Sequence, residues 1–447
     1  MPAPNASGRG PTRRRLLGGL GLAGVSTLGL SGCSSYLASA LVGHPLPPET
    51  VKFWNLFGGG DGVRMQEMLA DYRSAHPDVD LRATTFSWGN PYYTKLSLGT
   101  LANQPPHVAI CHLDRLETPV NTGLLRPFTL DELAEHGIRP ALFHQPAWEA
   151  AVLGEKIWAV PLDHHPLALY YNTEICEEAG LLDDDGQLRA PTDEESFVEM
   201  MLAAKEVTGQ WAGAMGINND IATQYRLFYT LCSQAGGTLV EDDGARITLD
   251  REIAHRAVNF QRRLTLEEKV MPSDIDGGGA IALFANRRTA FYIQGGWELT
   301  TFLTAKVPFR LTSFPKVFER HVAWDGSHSF VIPRLDGGSD ERIQAAMRFI
   351  RGMLDRTLTW AKGGHLPAWQ SVRSSAEFQA LQPHYESLPA DGVVYDPRAW
   401  YSGSGSNLQV VVGSAVGAAM AGYQSPQAAY QQAREGLQEL ANTPAPS

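Results

Sequence analysis

The sequence predicts an α/β fold built as two lobes, and two features of the chain support this prediction. Segments with the alternation or short apolar runs of strands are followed by segments with apolar residues at helical spacing, and this order repeats along the chain. The chain has 447 residues, which is too many for one ordinary hydrophobic core because domains average ~150 residues. Two lobes are the simplest arrangement for this length.

The amino terminus has the features of an export signal. Residues 12–17, Thr-Arg-Arg-Arg-Leu-Leu, match the twin-arginine export pattern, and an apolar run covers residues 16–30. The run is too short to span a bilayer stably, and its flanks fit a signal peptide better than a membrane helix. We therefore expect this segment to direct the chain across a membrane and not to join the fold.

The apolar run ends in Leu30-Ser31-Gly32-Cys33, which is similar to the cleavage box of bacterial lipoproteins. On this interpretation residues 1–32 are a removable signal peptide, and Cys33 becomes the lipidated first residue. Residues 33–48, rich in small residues and ending in prolines, form a tether. Acyl chains on Cys33 would anchor the protein to the outer face of the cell membrane. An ordinary secretory leader that happens to contain a cysteine is the alternative.

Composition and cysteine spacing argue against several partners and cofactors. The chain carries 37 basic and 48 acidic residues, with a formal net charge of −11. Its body has no tract rich in lysine and arginine, and an acidic surface repels polyphosphate, so nucleic acid is not an expected partner. Cys111, Cys176 and Cys232 have no Cys-x-x-Cys spacing, which argues against a zinc site. At most one disulfide could form among them, and isolated buried thiols fit better.

The body opens with a strand, a loop, a helix and a second strand. Residues 51–55 alternate as a strand does, residues 58–62 (Gly-Gly-Gly-Asp-Gly) break the pattern, and apolar residues follow at helical spacing over 65–72. Asp61 suits the N-cap of this helix or a contact with a ligand. Residues 79–83 alternate again, so we expect a second strand there.

Further along, strand and helix patterns continue to alternate. Residues 108–111 form a short apolar run of the kind that is buried on both faces of a parallel sheet. Helices are predicted by periodicity and start signals over residues 191–201, 254–264 and 341–354, and from Ser425-Pro426 onward. The tail from Asn442 is expected to be disordered.

A series of short motifs also runs along the body in a fixed order. The motifs cover residues 108–125 (ending Gly-Leu-Leu), 154–161 (Gly-Glu-Lys-Ile-Trp-Ala-Val-Pro), 167–172 (Leu-Ala-Leu-Tyr-Tyr-Asn), 191–192 (Pro-Thr), 234–237 (Gln-Ala-Gly-Gly), 290–297 (Ala-Phe-Tyr-Ile-Gln-Gly-Gly-Trp) and 361–368 (Ala-Lys-Gly-Gly-His-Leu-Pro-Ala). Each motif alone is weak, but their order and spacing are specific. Over nearly all of residues 51–440 the chain resembles the extracellular solute-binding proteins of family 1, the maltose-binding-protein-like group.

The resemblance implies an architecture and a function. It implies a two-lobe, periplasmic-binding-protein-like (type II) α/β fold with a hinge and an interlobe cleft, the N-terminal lobe being residues 49–163 and 326–355 and the C-terminal lobe residues 164–325 and 356–441. Residues 442–447 are the expected disordered tail. The implied function is capture of a sugar or oligosaccharide and delivery to the permease subunits of an ABC transporter. We expect a monomer without catalytic activity, cofactor or metal ion.

The candidate ligand contacts follow from sugar chemistry and from the resemblance. A sugar has flat C–H faces and a rim of hydroxyl groups, so its site needs aromatic rings and carboxylate, amide or guanidinium groups. Trp297 aligns with the sugar-stacking tryptophan of the family, and Glu298 flanks it. Asp114 and Arg115 match the family's ligand-contacting Asp-Arg pair. A core tryptophan and a surface ion pair are the alternatives.

Asp163-His164-His165 lies at the crossover between the lobes, where the family places a polar ligand contact. His165 falls on that contact's position, which is often glutamate, so Asp163 and His165 are both candidates. Together with His112, the two adjacent histidines could suggest a metal site. Adjacent residues on a strand point to opposite faces, however, and no carboxylate–histidine spacing completes such a site.

The remaining candidate contacts are aromatic and polar residues near predicted loops, and simple packing is the alternative for each. They are Trp54, Asp61, Trp88, Tyr225, Trp324, Asp325, His365 and Tyr401.

Two other functions use similar residues. A secreted glycoside hydrolase also needs aromatic rings and carboxylates, but it requires two carboxylates at a set separation, and the resemblance supplies no such pair. No Gly-x-Ser-x-Gly, P-loop or His-Glu-x-x-His motif is present. The same scaffold could instead bind a different solute, such as a glycerophosphodiester or a polyamine.

Overall fold

The computed structural model describes residues 49–381 and 392–446. The predicted signal peptide, the lipidated Cys33 and the tether lie outside these ranges, so their assignments stay predictions. None of the helices within the two ranges is long and apolar enough to cross a membrane.

The described residues contain seventeen strands, many of them short. They are β1 (Glu49–Asn55), β2 (Val79–Thr85), β3 (Val108–His112), β4 (Leu125–Arg126), β5 (Val152–Leu153), β6 (Lys156–Ile157), β7 (Val160–Pro161), β8 (Asp163–Asn172), β9 (Gly213–Ala214), β10 (Val240–Glu241), β11 (Arg246–Ile247), β12 (Phe291–Gly295), β13 (Phe309–Ser313), β14 (Ala323–Gly326), β15 (His328–Pro333), β16 (Leu366–Pro367) and β17 (Val393–Val394).

Seventeen α-helices also lie in the described residues. They are α1 (Gly60–Ala75), α2 (Asn90–Leu101), α3 (Glu117–Asn121), α4 (Leu130–Glu135), α5 (Gln145–Ala150), α6 (Thr173–Glu178), α7 (Glu194–Thr208), α8 (Ile221–Gln234), α9 (Arg251–Arg262), α10 (Gly277–Ala285), α11 (Leu299–Thr304), α12 (Asp340–Leu354), α13 (Thr357–Ala361), α14 (Gln370–Arg373), α15 (Ala376–Ala380), α16 (Asn407–Met420) and α17 (Pro426–Asn442).

The first lobe is built on a six-stranded sheet. Its strand order is β2-β1-β3-β15-β4, and β7 also pairs with β15. Strands β1, β2 and β3 are parallel, whereas β15 runs antiparallel to β3. The core of this lobe contains Phe53 of β1 and Phe349 of α12, whose ring centroids lie 5.0 Å apart. The parallel strands and covering helices are those that the first part of the sequence predicts.

The second lobe is built on a seven-stranded sheet around the long strand β8. Its order is β17-β14-β8-β12-β9, and β13 and β16 also pair with β8. All ten residues of β8 are buried, because neighbouring strands and helices cover both faces. The core of this lobe contains Phe197 of α7 and Phe260 of α9, 5.5 Å apart.

The chain crosses between the two sheets three times, from β7 to β8, from β14 to β15 and from β15 to β16, and the first two crossings are neighbours. Leu162 alone separates β7 of the first sheet from β8 of the second, and Ser327 alone separates β14 from β15. The Leu162 amide donates to the His328 carbonyl at 2.8 Å, which ties the two crossings together. This pair of crossing strands is the predicted hinge, and the two-lobe α/β prediction is confirmed.

The predicted start of the last helix is confirmed in detail. Ser425 is the N-cap of α17 and accepts a hydrogen bond from the Ala428 amide, with Pro426 at the first helical position. At α1 the N-cap prediction for Asp61 is wrong. The helix begins at Gly60, its N-cap is Gly59, and Asp61 lies in the first turn. Cys111, Cys176 and Cys232 are buried, and none of them pairs with another cysteine of the described ranges.

Candidate functional site

Strand register brings three histidines together where the chain crosses between the sheets. His328 on β15 lies opposite His112 on β3, and His165 on β8 lies opposite Gly326 on β14. The His165 and His328 rings stack with centroids 4.4 Å apart, and the His112 and His328 rings lie 4.6 Å apart. All three rings line one face of a cavity between the lobes.

This cavity has a volume of about 300 Å³ and receives side chains from both lobes. The first lobe and its strand β15 contribute Leu56, Gly58, Gly59, Asp61, Trp88, His112 and His328. The second lobe contributes His165, Asp220, Ala222, Arg226, Gly277, Ile281, Tyr292, Gln294, Trp297 and Glu298.

Indole rings form the aromatic part of the lining. Trp88 follows β2 and is 39% exposed, and Trp297 lies in the turn that follows β12 and is half-buried. The Trp297 ring meets the His165 ring edge-on at 5.5 Å. The two tryptophans therefore present apolar surface to the cavity from opposite lobes.

Arg226 lies between these rings and is 6% exposed. Its guanidinium carbon is 5.6 Å from the Trp88 ring centroid, 4.8 Å from that of Trp297 and 4.6 Å from that of Trp324. No hydrogen-bond partner for its Nε occurs in the described residues. The cavity thus contains a buried cation held by aromatic faces, with donor capacity left for a ligand.

Carboxyl groups also belong to the cavity lining. The Asp61 Oδ1 accepts a hydrogen bond from the Gly59 amide at 3.1 Å, and Glu298 accepts one from the Thr301 hydroxyl at 3.0 Å. Burial raises the pKa of Asp61 to about 6, against the opposing effect of His328. Burial also raises the pKa of Glu298. Carboxyl groups of this kind accept hydroxyl donors of a polar ligand.

Because the pKa of Asp61 is raised, we expect the stability of the ligand-free protein to depend on pH. Because the folded form holds its proton to a higher pH than the unfolded form, ligand-free stability should fall as pH rises from about 4 to about 6. We expect Asp61→Asn to remove this decline and to raise stability at pH 7 by about 1–2 kcal/mol, less than the full shift because the side chain is only half-buried. Urea unfolding between pH 4 and 8 measures the slope, with Asp71→Asn on the exposed face of α1 as control. If the free energy of unfolding of Asp61→Asn falls with pH as steeply as that of the wild type, Asp61 is not the cause of the decline.

Asp163 lies beneath the histidines and positions them. Its carboxylate accepts hydrogen bonds from His165 Nδ1 at 3.1 Å, His328 Nδ1 at 2.8 Å and Trp360 Nε1 at 2.5 Å. Because Asp163 and His165 are two residues apart on a strand, they lie on the same face. His164 points the other way and contacts Asp325 at 3.1 Å.

Asp114 and Arg115 are not in the cavity lining but at a contact between the lobes. The Asp114 Oδ2 accepts a hydrogen bond from the Ser404 hydroxyl at 3.1 Å. Burial and the neighbouring Asp396 raise the pKa of Asp114 to about 7. The Arg115 guanidinium lies 4.3 Å from the Tyr93 ring centroid. Their predicted role as direct ligand contacts stays a prediction.

Two further candidates in the lobes lie away from the cavity lining. Trp54 lies in β1 with its ring 5.0 Å from that of Phe86. Tyr401 is buried in the second lobe and donates to the Gly244 carbonyl at 2.5 Å.

The other candidates lie directly behind the lining. Tyr225 and the Trp324 indole nitrogen both donate to Asp396, at 2.7 and 2.8 Å. Asp325 Oδ1 accepts a hydrogen bond from the His165 amide at 2.8 Å. The centroid of the His365 ring lies 5.4 Å from that of the His165 ring. These side chains support residues that face the cavity.

Sequence reasoning missed several lining residues. They are Asp220, Arg226, Tyr292, Gln294 and His328. Tyr292 and Gln294 lie inside the motif that ends at Trp297 and alternate along β12, so the motif itself could have indicated them. The Gln294 side chain is held by a hydrogen bond to the Thr223 hydroxyl at 3.0 Å. Nothing in the sequence near Arg226 or His328 distinguishes them from ordinary polar positions.

The lobes touch each other at two places beside the cavity. At one side Gly403 packs on the backbone of Asp114, where an added Cβ would lie 2.3 Å from the Asp114 carbonyl oxygen. At the other side the Arg64 Nε donates to the Thr300 hydroxyl at 3.3 Å.

Comparisons with known proteins match this architecture. Residues 67–385 match the family model described as bacterial extracellular solute-binding protein. Maltooligosaccharide ABC transporter solute-binding lipoproteins from two strains of Streptococcus pneumoniae are 21% identical over 296 residues, which is 63% of this chain. The match spans 64% of the length of these relatives.

Several solved structures share the fold at low sequence identity. A maltose-bound protein of T. maritima has a TM-score of 0.73 at 18% identity, over 88% of this chain and 99% of that one. The GacH receptor of Streptomyces glaucescens, solved unliganded and with acarbose, has a TM-score of 0.71 at 18% identity, covering 88% and 98%. UgpB of Mycobacterium tuberculosis, in complex with glycerophosphocholine, has a TM-score of 0.71 at 16% identity, covering 88% and 98%.

Proposed function

Because the chain belongs to the bacterial extracellular solute-binding protein family, we propose that it captures a sugar or oligosaccharide between its lobes and delivers it to an ABC transporter permease. A member of this family is a binding protein and not an enzyme. The relatives in Streptococcus pneumoniae are named for maltooligosaccharide transport, which supports a carbohydrate. The match to UgpB with glycerophosphocholine keeps a glycerophosphodiester as the second candidate solute.

The observation that carries this proposal is the composition of the cavity. Trp88 and Trp297 present indole surface from opposite lobes, while Asp61, Glu298 and Arg226 supply acceptors and donors. Flat C–H faces pack on indole, and ring hydroxyls pair with carboxylates and guanidinium. A polyhydroxylated ligand uses both kinds of group at once, whereas a purely apolar ligand would leave the charged groups unpaired.

The mechanism we propose is closure of the lobes around the ligand about the crossing strands. In the open form one lobe binds the sugar, and closure then brings the other lobe's tryptophan and charged groups onto it. Ligand binding shifts the balance toward the closed form, and the permease recognises that form. Release of the unaltered ligand to the permease completes the cycle.

The cellular location belongs to the same proposal. We place the protein outside the cytoplasm, attached by lipid on Cys33 to the outer face of the membrane, after export by the twin-arginine signal in residues 1–32. The name of the Streptococcus pneumoniae relatives includes lipoprotein, which supports this placement. We expect Cys33→Ala to release the protein from the membrane fraction, as detected by immunoblotting.

A thermal-shift screen against mono- and oligosaccharides tests the function. We expect at least one sugar to raise the melting temperature, with no release of reducing ends during long incubation. Glycerophosphocholine is included as the second candidate solute. If that compound stabilises the protein and no sugar does, the carbohydrate proposal is wrong. If reducing ends accumulate, the assignment as a binding protein is wrong.

Substitution of Trp297 tests the site within the same screen. We expect Trp297→Ala to abolish the melting shift caused by the best sugar, because the ring supplies the apolar surface for that sugar. Ligand-free stability should fall by only about 1–2 kcal/mol, since the side chain is half-buried. Trp158→Ala is the matched control, because Trp158 is also half-buried but packs on the first-lobe core. A much larger loss of ligand-free stability would make Trp297 a core residue.

A further inference from the structure

A compact cluster of buried side chains lies behind the cavity. Asp163, His165, His328 and His365 each place one potential ligand atom within 4.8 Å of the others. They come from β8, β15 and the turn before β16, so their spacing along the chain matches no metal-binding motif. His365 reaches the group because Leu366 of β16 pairs with His164 of β8.

Asp163 is a buried carboxyl group with two imidazole neighbours. Its side chain is 0% exposed. Within the described residues its ion-pair partners are His165 and His328, and no lysine or arginine pairs with it. A buried carboxylate requires a compensating positive charge. Either a proton on the imidazole cluster or a bound cation can supply that charge.

His365 is a buried imidazole next to this carboxyl group. Its side chain is 1% exposed, and neither ring nitrogen has a hydrogen-bond partner in the described part of the chain. The ring is held in place by stacking on Trp360, with centroids 4.2 Å apart. One potential ligand nitrogen of this ring lies within 4.8 Å of a carboxylate oxygen of Asp163. A buried imidazole whose nitrogens have no partner in the described residues is expected to bind one.

The geometry suits a small tetrahedral ion. The Asp163 carboxylate lies 3.1 Å from His165 Nδ1 and 2.8 Å from His328 Nδ1. Two ligands of a tetrahedral zinc ion, each at ~2.0–2.1 Å, are separated by about 3.3 Å. Trp360 Nε1 also donates to the carboxylate at 2.5 Å, which orients it as an outer hydrogen bond orients a metal ligand. The His165 and His328 rings border the cavity, and this gives an ion a route in.

We propose that Asp163, His165, His328 and His365 bind one divalent late first-row transition-metal ion, best represented by Zn²⁺. Three imidazoles and one carboxylate are the ligand types that this class of ion prefers. The ion would replace the two imidazole hydrogen bonds to Asp163, and each ring would carry its proton on the other nitrogen. The ion would neutralise the buried carboxylate and join the strands of both lobes at the hinge. The inference does not depend on which solute the cavity captures.

Metal titration of the full-length protein tests the proposal. The protein carries no polyhistidine tag and is first stripped with a chelator. We expect calorimetric titration with Zn²⁺ to show one equivalent bound, and Co²⁺ to give visible absorption bands of four-coordinate geometry without thiolate charge-transfer bands. Failure of the wild-type protein to bind stoichiometric Zn²⁺ would overturn the proposal and leave a buried aspartate–imidazolium pair only. Thiolate bands would also overturn it, because they would place the ion at a cysteine.

A pair of matched variants locates the ion. His365→Phe keeps the stacking on Trp360 but removes both nitrogens, and we expect Zn²⁺ affinity to fall by about tenfold or more. His144→Phe is the control, since His144 also stacks on an aromatic neighbour, His164 at 4.2 Å. Its Nδ1 lies outside the cluster and has no hydrogen-bond partner among the described residues. Equal Zn²⁺ affinity in His365→Phe and wild type would refute the assignment. If His365→Phe does not fold, the Co²⁺ spectrum of the wild-type protein still shows whether an ion binds in four-coordinate geometry without thiolate ligands.

Discussion

Gly403→Ala should weaken binding of the best solute by about tenfold or more while leaving the protein folded. An alanine Cβ at this position would lie 2.3 Å from the carbonyl oxygen and 2.6 Å from the carbonyl carbon of Asp114. Gly403 belongs to the second lobe and Asp114 to the first, so we expect the clash to arise only as the lobes close. If the substitution leaves only about one molecule in ten able to close around the solute, the apparent dissociation constant rises about tenfold.

The control for this substitution must reproduce its backbone strain. Gly403 has φ +96°, a region in which alanine is strained whether the lobes are open or closed. Gly236 has φ +82°, and an added Cβ there would meet nothing within 4 Å. Gly236→Ala should therefore lose similar stability, about 1 kcal/mol, but bind solute as the wild type does.

Calorimetric titration and small-angle scattering measure the two effects. We expect the radius of gyration of Gly403→Ala with solute to remain larger than that of the wild type with solute. If Gly403→Ala and Gly236→Ala bind equally, the contact between Gly403 and Asp114 is a permanent one and not part of closure.

The fold was predictable because its signals are local. Alternating or wholly apolar runs predict β1, β2 and β3 within two residues of their observed ends, since strand periodicity needs only neighbouring residues. The N-cap at Asp61 was wrong for an equally local reason. Three glycines precede it, and Gly59 serves as the N-cap without a side-chain hydrogen bond, so α1 starts two residues earlier than an N-cap at Asp61 would place it.

The cavity was only partly predictable, because it depends on pairing between distant strands. The sequence indicated His112 and His165 for different reasons and did not indicate His328, yet strand pairing brings the three rings together. Asp114 follows β3 as expected, and its Oδ2 accepts a hydrogen bond from the hydroxyl of Ser404, nearly 300 residues later, at the contact between the lobes. No local pattern contains either fact.

Arg226 is the lining residue that the sequence indicated least, and its environment is unusual for an arginine. It lies within α8, where a charged residue normally faces solvent, but Trp88, Trp297 and Trp324 surround it. These tryptophans come from three distant parts of the chain. Burial lowers the pKa of Arg226, with Asp220 the strongest opposing influence, and its Nε has no partner among the described residues. A buried guanidinium with an unpaired nitrogen destabilises the ligand-free protein, and it strengthens binding when a ligand accepts its hydrogen bond.

Arg226→Met should therefore separate affinity from stability. Methionine keeps apolar contact with the indoles but offers no donor, so we expect solute affinity to fall by about 2–3 kcal/mol, the contribution of hydrogen bonds from a charged group. Ligand-free stability should rise by about 1 kcal/mol, because an incompletely paired buried charge is removed. Calorimetric titration and urea unfolding measure the two quantities. Arg256→Met is the control, since that guanidinium lies 3.9 Å from the Phe318 ring but is exposed and paired with Glu319. Destabilisation of ligand-free Arg226→Met with unchanged affinity would instead make the guanidinium a structural support for the three tryptophans.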